Sequence, residues 1–188
     1  VELSDPPSTR QIVLNTSSDI LSEKDVRIAL QHATNKQNIS DGIFYGLEKP
    51  ADTLFAKTIP YCNIDLEPFA YDLELAGQIL DDAGWKMGSG NVREKDGKQL
   101  NIDLLYNSDS VTEKSIAEYL QSEYQTIGVA LNIHGEEEQS YRDNMKAGNF
   151  DMVFNICWGT PYDPQSSLAA MRAPVYGDYA AQLGLADK

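Results

Sequence analysis

Between Gln99 and Cys157 the chain switches hydrophobic period four times, and this alternation restricts the fold more than any other feature of the sequence. Residues 99–106 read as a strand. The stretch 112–127 then sets Ile116, Ala117, Leu120 and Tyr124 at helical spacing, with Gly128 behind them to end the helix. Residues 129–134 are strand-like again, 136–147 helical, and 150–157 a third strand. Strand–helix–strand–helix–strand predicts an α/β fold with a mostly parallel sheet flanked by helices, joined by right-handed crossovers.

The first half attaches to that frame less regularly. Residues 10–16 (RQIVLNT) suit a strand. Ser22, with Asp25 three residues on, predicts an N-cap for a helix reaching about Thr34, with Val26, Ala29, Leu30 and Ala33 on its apolar face. A short helix is expected over 38–45, stopped by Gly46. Residues 47–71 carry Pro50, Pro60 and Pro68 and no periodicity, so they predict a long loop that wraps the domain. Asp72 is placed to cap a helix whose face is Leu75, Ala76, Ile79, Leu80 and Ala83, ended by Gly84, with Trp85 packed on it. Asp96-Gly97 predicts a two-residue hairpin turn inside 92–106.

Several functions are disfavoured on chemistry alone. A net charge of −14 leaves no basic stripe to neutralise phosphates, so neither nucleic acid nor an anionic membrane surface is an expected partner. No apolar run is long enough to span a membrane, and the opening VELSDPPSTRQ reads as a polar connector from the middle of a longer protein. Cys62 and Cys157 lie far apart with no metal-type spacing and are read as unpaired thiols. His32, beside a helical apolar face, and His134, at a strand end, fall in separate units and are read as boundary histidines. Glu136, Glu137 and Glu138 are placed at a helix start, where the helix dipole and solvent account for them. No nucleophile, general base or metal cluster assembles, so no catalytic residue and no resident metal are assigned.

What remains is CWGTPYDPQSSLAAMRAPVY (157–176). Trp158 and Tyr162 bracket a rigid turn containing Gly159 and Pro161, directly beyond the carboxyl end of a predicted strand, where open α/β sheets bind ligands. A helix is expected to start at Asp163-Pro164, aiming its amides at the same region, and Tyr176 follows Pro174 on a loop. This arrangement fits a small ligand held by stacking and a few hydrogen bonds, without covalent chemistry.

The same residues carry a family resemblance. ALQHATNK (29–36), ADTLFA (51–56), IPY (59–61), AGW (83–85), REKDGKQL (93–100), GEEE (135–138), WGTPYDP (158–164), MRAP (171–174) and GLADK (184–188) resemble, in order and spacing, the peptide/nickel class (family 5) of extracellular solute-binding proteins of ABC importers. WGTPYDP and GLADK are similar to its nickel branch. The resemblance implies the C-terminal lobe of a type II periplasmic-binding-protein fold: a single α/β lobe over 1–188, with the wrapping loop 47–71 and an irregular tail 172–188. It implies a receptor, not an enzyme, that closes on a nickel–chelator complex between two lobes and passes it to a membrane permease, with a di- or oligopeptide as the alternative solute. Trp158, Tyr162 and Tyr176 are the implied ligand-binding residues, nickel is cargo and not a cofactor, and the arginines that hold the chelator's carboxylates belong to the other lobe. Tyr176 falls where nickel-branch relatives carry a metal-contacting histidine, and Cys157 where they carry a threonine. The implied setting is the periplasm, or the outer face of a single-membrane bacterium with a membrane anchor, and the implied state is a monomer.

Overall fold

The computed structural model describes residues 8–57, 59–156 and 165–170. Its frame is a four-stranded sheet of β1 (Arg10–Leu14), β7 (Met152–Ile156), β5 (Asn101–Asn107) and β6 (Ala130–Glu136), in that spatial order. β5 pairs in parallel with both β6 and β7, with Leu105 opposite His134 on one side and Val153 on the other. β1 closes the β7 side antiparallel, with Arg10 opposite Ile156 and Leu14 opposite Met152. The sheet is therefore mostly parallel, as the alternating periods predict.

The order β7-β5-β6 means that the two crossovers run in opposite directions. The connection from β5 through α4 (Val111–Thr126) steps one strand outward; the connection from β6 through α5 (Glu138–Ala147) steps back past β5. Two right-handed crossovers running in opposite directions place their helices on opposite faces. Side-chain alternation along β5 matches. Ile102, Leu104 and Tyr106 join the main core with Ile116, Ala117, Leu120 and Tyr124 of α4, whereas Leu105 turns to Tyr141, Phe150 and Val153 under α5.

The main core is completed by α1 (Lys24–His32) and α3 (Leu73–Asp82), which supply Val26, Ala29, Leu30, Ala76 and Leu80. Between them, α2 (Lys36–Ile43) is capped by Asn35, whose side chain accepts from the Asn38 N–H. Asp72 caps α3 as predicted, accepting from the Leu75 N–H at 2.9 Å. The cap of α1 differs from the prediction. Glu23, not Ser22, occupies the N-cap and makes no side-chain cap bond. Ser22 donates to the Asp19 carbonyl, while Arg27 donates to the carbonyls of Leu21 and Ser22, so the turn is tied from within the helix. Glu23 instead turns its carboxylate to the Trp85 indole N–H and the Lys95 ammonium.

A small antiparallel sheet, β2 (Lys86–Met87), β3 (Arg93–Lys95) and β4 (Lys98–Gln99), hangs from α3. Asp96 and Gly97 both have positive φ, 51° and 77°, the type I′ geometry that the Asp-Gly pair predicts. The predicted strand 99–106 is divided: buried Leu100 separates β4 from β5, so the two halves enter different sheets. Arg93 locks this unit down. Its buried guanidinium donates to the Ile127 carbonyl (2.7 Å), the Trp85 carbonyl (2.6 Å) and Asp81 (2.9 Å), and the neighbouring positive charge and hydrogen bond hold the Asp81 carboxyl below its ordinary range. Gly128 is required beside it: its φ is +81°, and a Cβ there would stand 2.8 Å from Arg93 Cγ. Among the described residues of 47–71 there is no helix or strand. Leu75, expected on the buried face of α3, is more than one-third exposed, whereas Ala76 and Leu80 are buried.

Candidate functional site

In an open α/β sheet the binding crevice lies beyond the carboxyl ends of the strands, where the strand order reverses. Here that point falls between β5, ending at Asn107, and β7, ending at Ile156. Asn107 joins both flanking helices. Its backbone N–H donates to Glu113 of α4 at 2.9 Å, and its side-chain amide donates to Glu138 of α5 at 2.5 Å. Its Oδ1 also accepts from the Asp109 N–H, which turns the chain toward α4. Ser110 then caps α4 through the Glu113 N–H.

The electrostatics of this edge are set by partial burial. Glu113 is half-buried, and desolvation raises its carboxyl above 4.5 despite the Asn107 N–H and the positive charge of Arg10. Tyr141 donates its hydroxyl to the Phe154 carbonyl at 2.5 Å, fixing α5 to β7, and burial together with the charges of Glu113 and Glu138 pushes its phenol up. Arg142, one residue on, is exposed and paired with Glu138. On the β1 side, Arg10 lies over the Phe44 ring at 5.4 Å and reaches Glu48 at 3.4 Å. The result is a hydrogen-bonded polar rim carrying both signs of charge at the carboxyl edge of the sheet.

β7 delivers the chain to this mouth at Ile156, two residues before Trp158. Trp158, Tyr162 and Tyr176 lie outside the described residues, as do Cys157, the Asp163-Pro164 pair and the tail 172–188; the short helix α6 (Gln165–Ala170) is described from Gln165. The residues of the rim itself were not singled out from sequence as functional, because Asn107, Glu113, Glu138 and Arg10 come from four elements. One signal was legible: Ser110-Val-Thr-Glu113 has the capping-box spacing, with the glutamate bonded to the Asn107 N–H in place of the cap's own.

A second concavity lies on the α5 face toward the opposite end of β7. It is an open hollow of about 410 Å³ lined by Asn15, Asp103, His134, Glu136, Asn144 and Asp151, among others. His134 is half exposed and meets Asp103 at 3.1 Å. These walls are polar and suit water better than a stacked aromatic ligand. His32 is structural: Nδ1 donates to the Ala70 carbonyl at 2.7 Å, and Phe69 packs edge-on against the ring. Glu136 ends β6, Glu137 is the N-cap of α5 and only Glu138 is helical, so the three carboxylates diverge. Among the described residues no three His, Cys, Asp or Glu side chains gather to hold a metal ion. Cys62 is a buried free thiol.

Comparison with known proteins agrees with this architecture. Residues 1–178 match the model of the bacterial extracellular solute-binding proteins, family 5 middle region. The chain is 42% identical over all 188 residues to the nickel-binding periplasmic protein of Escherichia coli K12, and covers 36% of that protein. It superimposes on NikA from Brucella suis, solved in complex with Fe(III)-EDTA, with a TM-score of 0.87 and 44% identity, covering 96% of this chain and 36% of that one. It is also 28% identical over 145 residues to the oligopeptide-binding protein AppA of Bacillus subtilis, covering 73% of this chain and 26% of that protein. The chain thus spans about a third of the length of the relatives it matches, or less.

Proposed function

The chain belongs to the bacterial extracellular solute-binding proteins of family 5, a binding family and not an enzyme family, and we propose that it forms one lobe of the periplasmic receptor of an ABC importer for a nickel–chelator complex. The observation that carries this reading is the 42% identity to the nickel-binding periplasmic protein over all 188 residues of the chain. The Fe(III)-EDTA bound by the Brucella suis relative supports a chelate, not a bare ion, as the solute.

The mechanism needs no bond to be made or broken. The receptor's second lobe closes over the carboxyl-edge crevice, and Trp158 and Tyr162 stack against the organic part of the chelate. Gly159 and Pro161 stand between the two rings in sequence, a pair expected to restrict the turn and so to reduce the ordering cost of binding. Tyr176 covers the complex. A phenol is a poor Ni²⁺ ligand near neutral pH because its ordinary pKa is about 10, so the chelator fills the metal's coordination sphere. Around the mouth, the Asn107–Glu113–Glu138 network keeps both crossover helices fixed while the lobes move. The loaded receptor then delivers its cargo to the permease in the inner membrane.

Native mass spectrometry with metal analysis of the complete receptor, purified without denaturation, tests the reading. One equivalent of nickel together with a small organic mass supports it. The second reading is an oligopeptide receptor, favoured by the similarity to AppA; a ladder of peptide masses without metal would establish that one instead.

A further inference from the structure

Arg10 is the first residue of β1 and lies opposite Ile156, the last of β7, so it stands at the carboxyl edge of the sheet, where the crevice is expected. Strand alternation puts its side chain on the face of Ile12 and Leu14, above the main core. The Phe44 ring supports the guanidinium at 5.4 Å. Glu113, whose carboxyl is raised chiefly by burial, still feels the positive charge. At 29% exposure the side chain remains reachable from solvent.

The protein around this guanidinium matches it poorly. Its buried Nε–H has no hydrogen-bond partner among the described residues, which is rare for an interior donor. On the same edge, Nη2 reaches Glu48 only at 3.4 Å, longer than charge-assisted bonds usually run. Other arginines are better served. Arg93 holds Asp81 at 2.9 Å and two carbonyls at 2.6 and 2.7 Å, and Arg142 is closed on Glu138, one turn away in its own helix. Nε and Nη2 together form a fork that fits one carboxylate through two parallel bonds. Glu48 meets only one side of that fork and is nearly half exposed, so it is displaced at little cost.

We propose that Arg10 is a specificity-determining residue of the solute site: its Nε–Nη2 edge receives a carboxylate of the bound solute from this lobe, displacing Glu48. The inference rests on the receptor reading above, which puts the solute at this edge of the sheet. The other carboxylates of the rim are committed elsewhere, Glu113 to the Asn107 N–H and Glu138 to the Asn107 amide and Arg142. A solute without a carboxylate leaves Glu48 in place and gains nothing from the fork. A solute that carries one exchanges a single long contact for a bidentate pair and satisfies the buried Nε–H. Arg10 therefore sorts solutes by their charge and not by their metal.

Calorimetric titration of the complete receptor with nickel–EDTA, a dianion, and with the neutral nickel bis-histidine complex tests this. Arg10→Gln is expected to weaken nickel–EDTA binding at least about tenfold and the neutral complex less than about threefold. Glu48→Gln, which frees the fork, should tighten nickel–EDTA binding at least about twofold. Equal weakening of both complexes by Arg10→Gln overturns the proposal, because lost packing over Phe44 would act on either; so does unchanged affinity. Should circular dichroism show that Arg10→Gln does not fold, Glu48→Gln decides, and a nickel–EDTA affinity that stays the same or falls overturns the proposal. A parent receptor that binds neither complex removes the nickel reading without touching Arg10. The same comparison then runs on a peptide and its C-terminal amide: Arg10→Gln should erase the preference for the free carboxylate, and a preference that survives overturns the proposal.

Discussion

Replacing Arg93 by methionine isolates the contact on which the small sheet depends. The guanidinium is buried and satisfies two carbonyl oxygens, those of Ile127 and Trp85, together with Asp81. Methionine fills much of the same volume but donates nothing. Each stranded buried acceptor costs about 1–3 kcal/mol. Asp81 is nearly half exposed and regains water, so its ion pair adds little. The expected loss is about 2–5 kcal/mol, read by urea unfolding followed by far-UV circular dichroism. Arg93→Lys should recover only part of it, since one ammonium cannot reach three acceptors in fixed directions. The pH dependence adds an independent check. The Asp81 carboxyl is held below 3.8 in the folded state, so its contribution is present above that value and disappears as pH falls through the lower folded one. The gap between Arg93→Met and the parent should therefore narrow in acid. A loss below about 1 kcal/mol at neutral pH would refute the assignment of Arg93 as the tie between the small sheet and the ends of α3 and α4.

Three further outcomes follow from single residues. Gly128→Ala should destabilise by about 1–3 kcal/mol, since it sets a Cβ at positive φ against Arg93 Cγ and Met87 Cε; thermal melting measures it. Glu113→Gln should stabilise more at neutral pH than in acid. Burial raises the folded-state pKa above 4.5, so Glu113's favourable contribution is complete below that value and is lost as pH rises through the folded pKa; urea midpoints on either side of it show the sign. Trp158→Ala in the complete receptor should weaken chelate binding more than about tenfold, and an unchanged dissociation constant would remove Trp158 from the site.

The parts of this fold legible in the sequence are those written in nearest-neighbour chemistry. The Asp72 cap, the Asp96-Gly97 turn, the core face of α4 and the parallel character of the sheet each depend on spacings within one or two elements. Strand order is different in kind: that β1 lies antiparallel beside β7, about 140 residues away in sequence, is fixed by how two crossovers fold back. The interruption at Leu100 escaped the periodic reading because the alternation of exposed and buried residues continues from Gln99 to Leu104 while the chain changes sheets. Ser22 has the right side chain for a cap, but Arg27 already occupies its carbonyl and that of Leu21 from within the helix. At the candidate site, periodicity set the expected crevice at the strand ends, and the turn expected after β7, together with the resemblance, pointed to aromatic residues that lie outside the described part of the chain. The rim of Arg10, Asn107, Glu113 and Glu138 joins residues more than a hundred positions apart, and only the Ser110–Glu113 spacing pointed to it.

Isothermal titration of the complete receptor with nickel as its chelate, with aqueous Ni²⁺ and with a mixed peptide pool bears most directly on the solute. One chelate should bind per receptor, far more tightly than either the bare ion or any peptide, because the chelator supplies the metal's ligands and the aromatic walls recognise the organic shell. Aqueous Ni²⁺ binding as tightly as the chelate, or peptides binding where the chelate does not, would contradict that account.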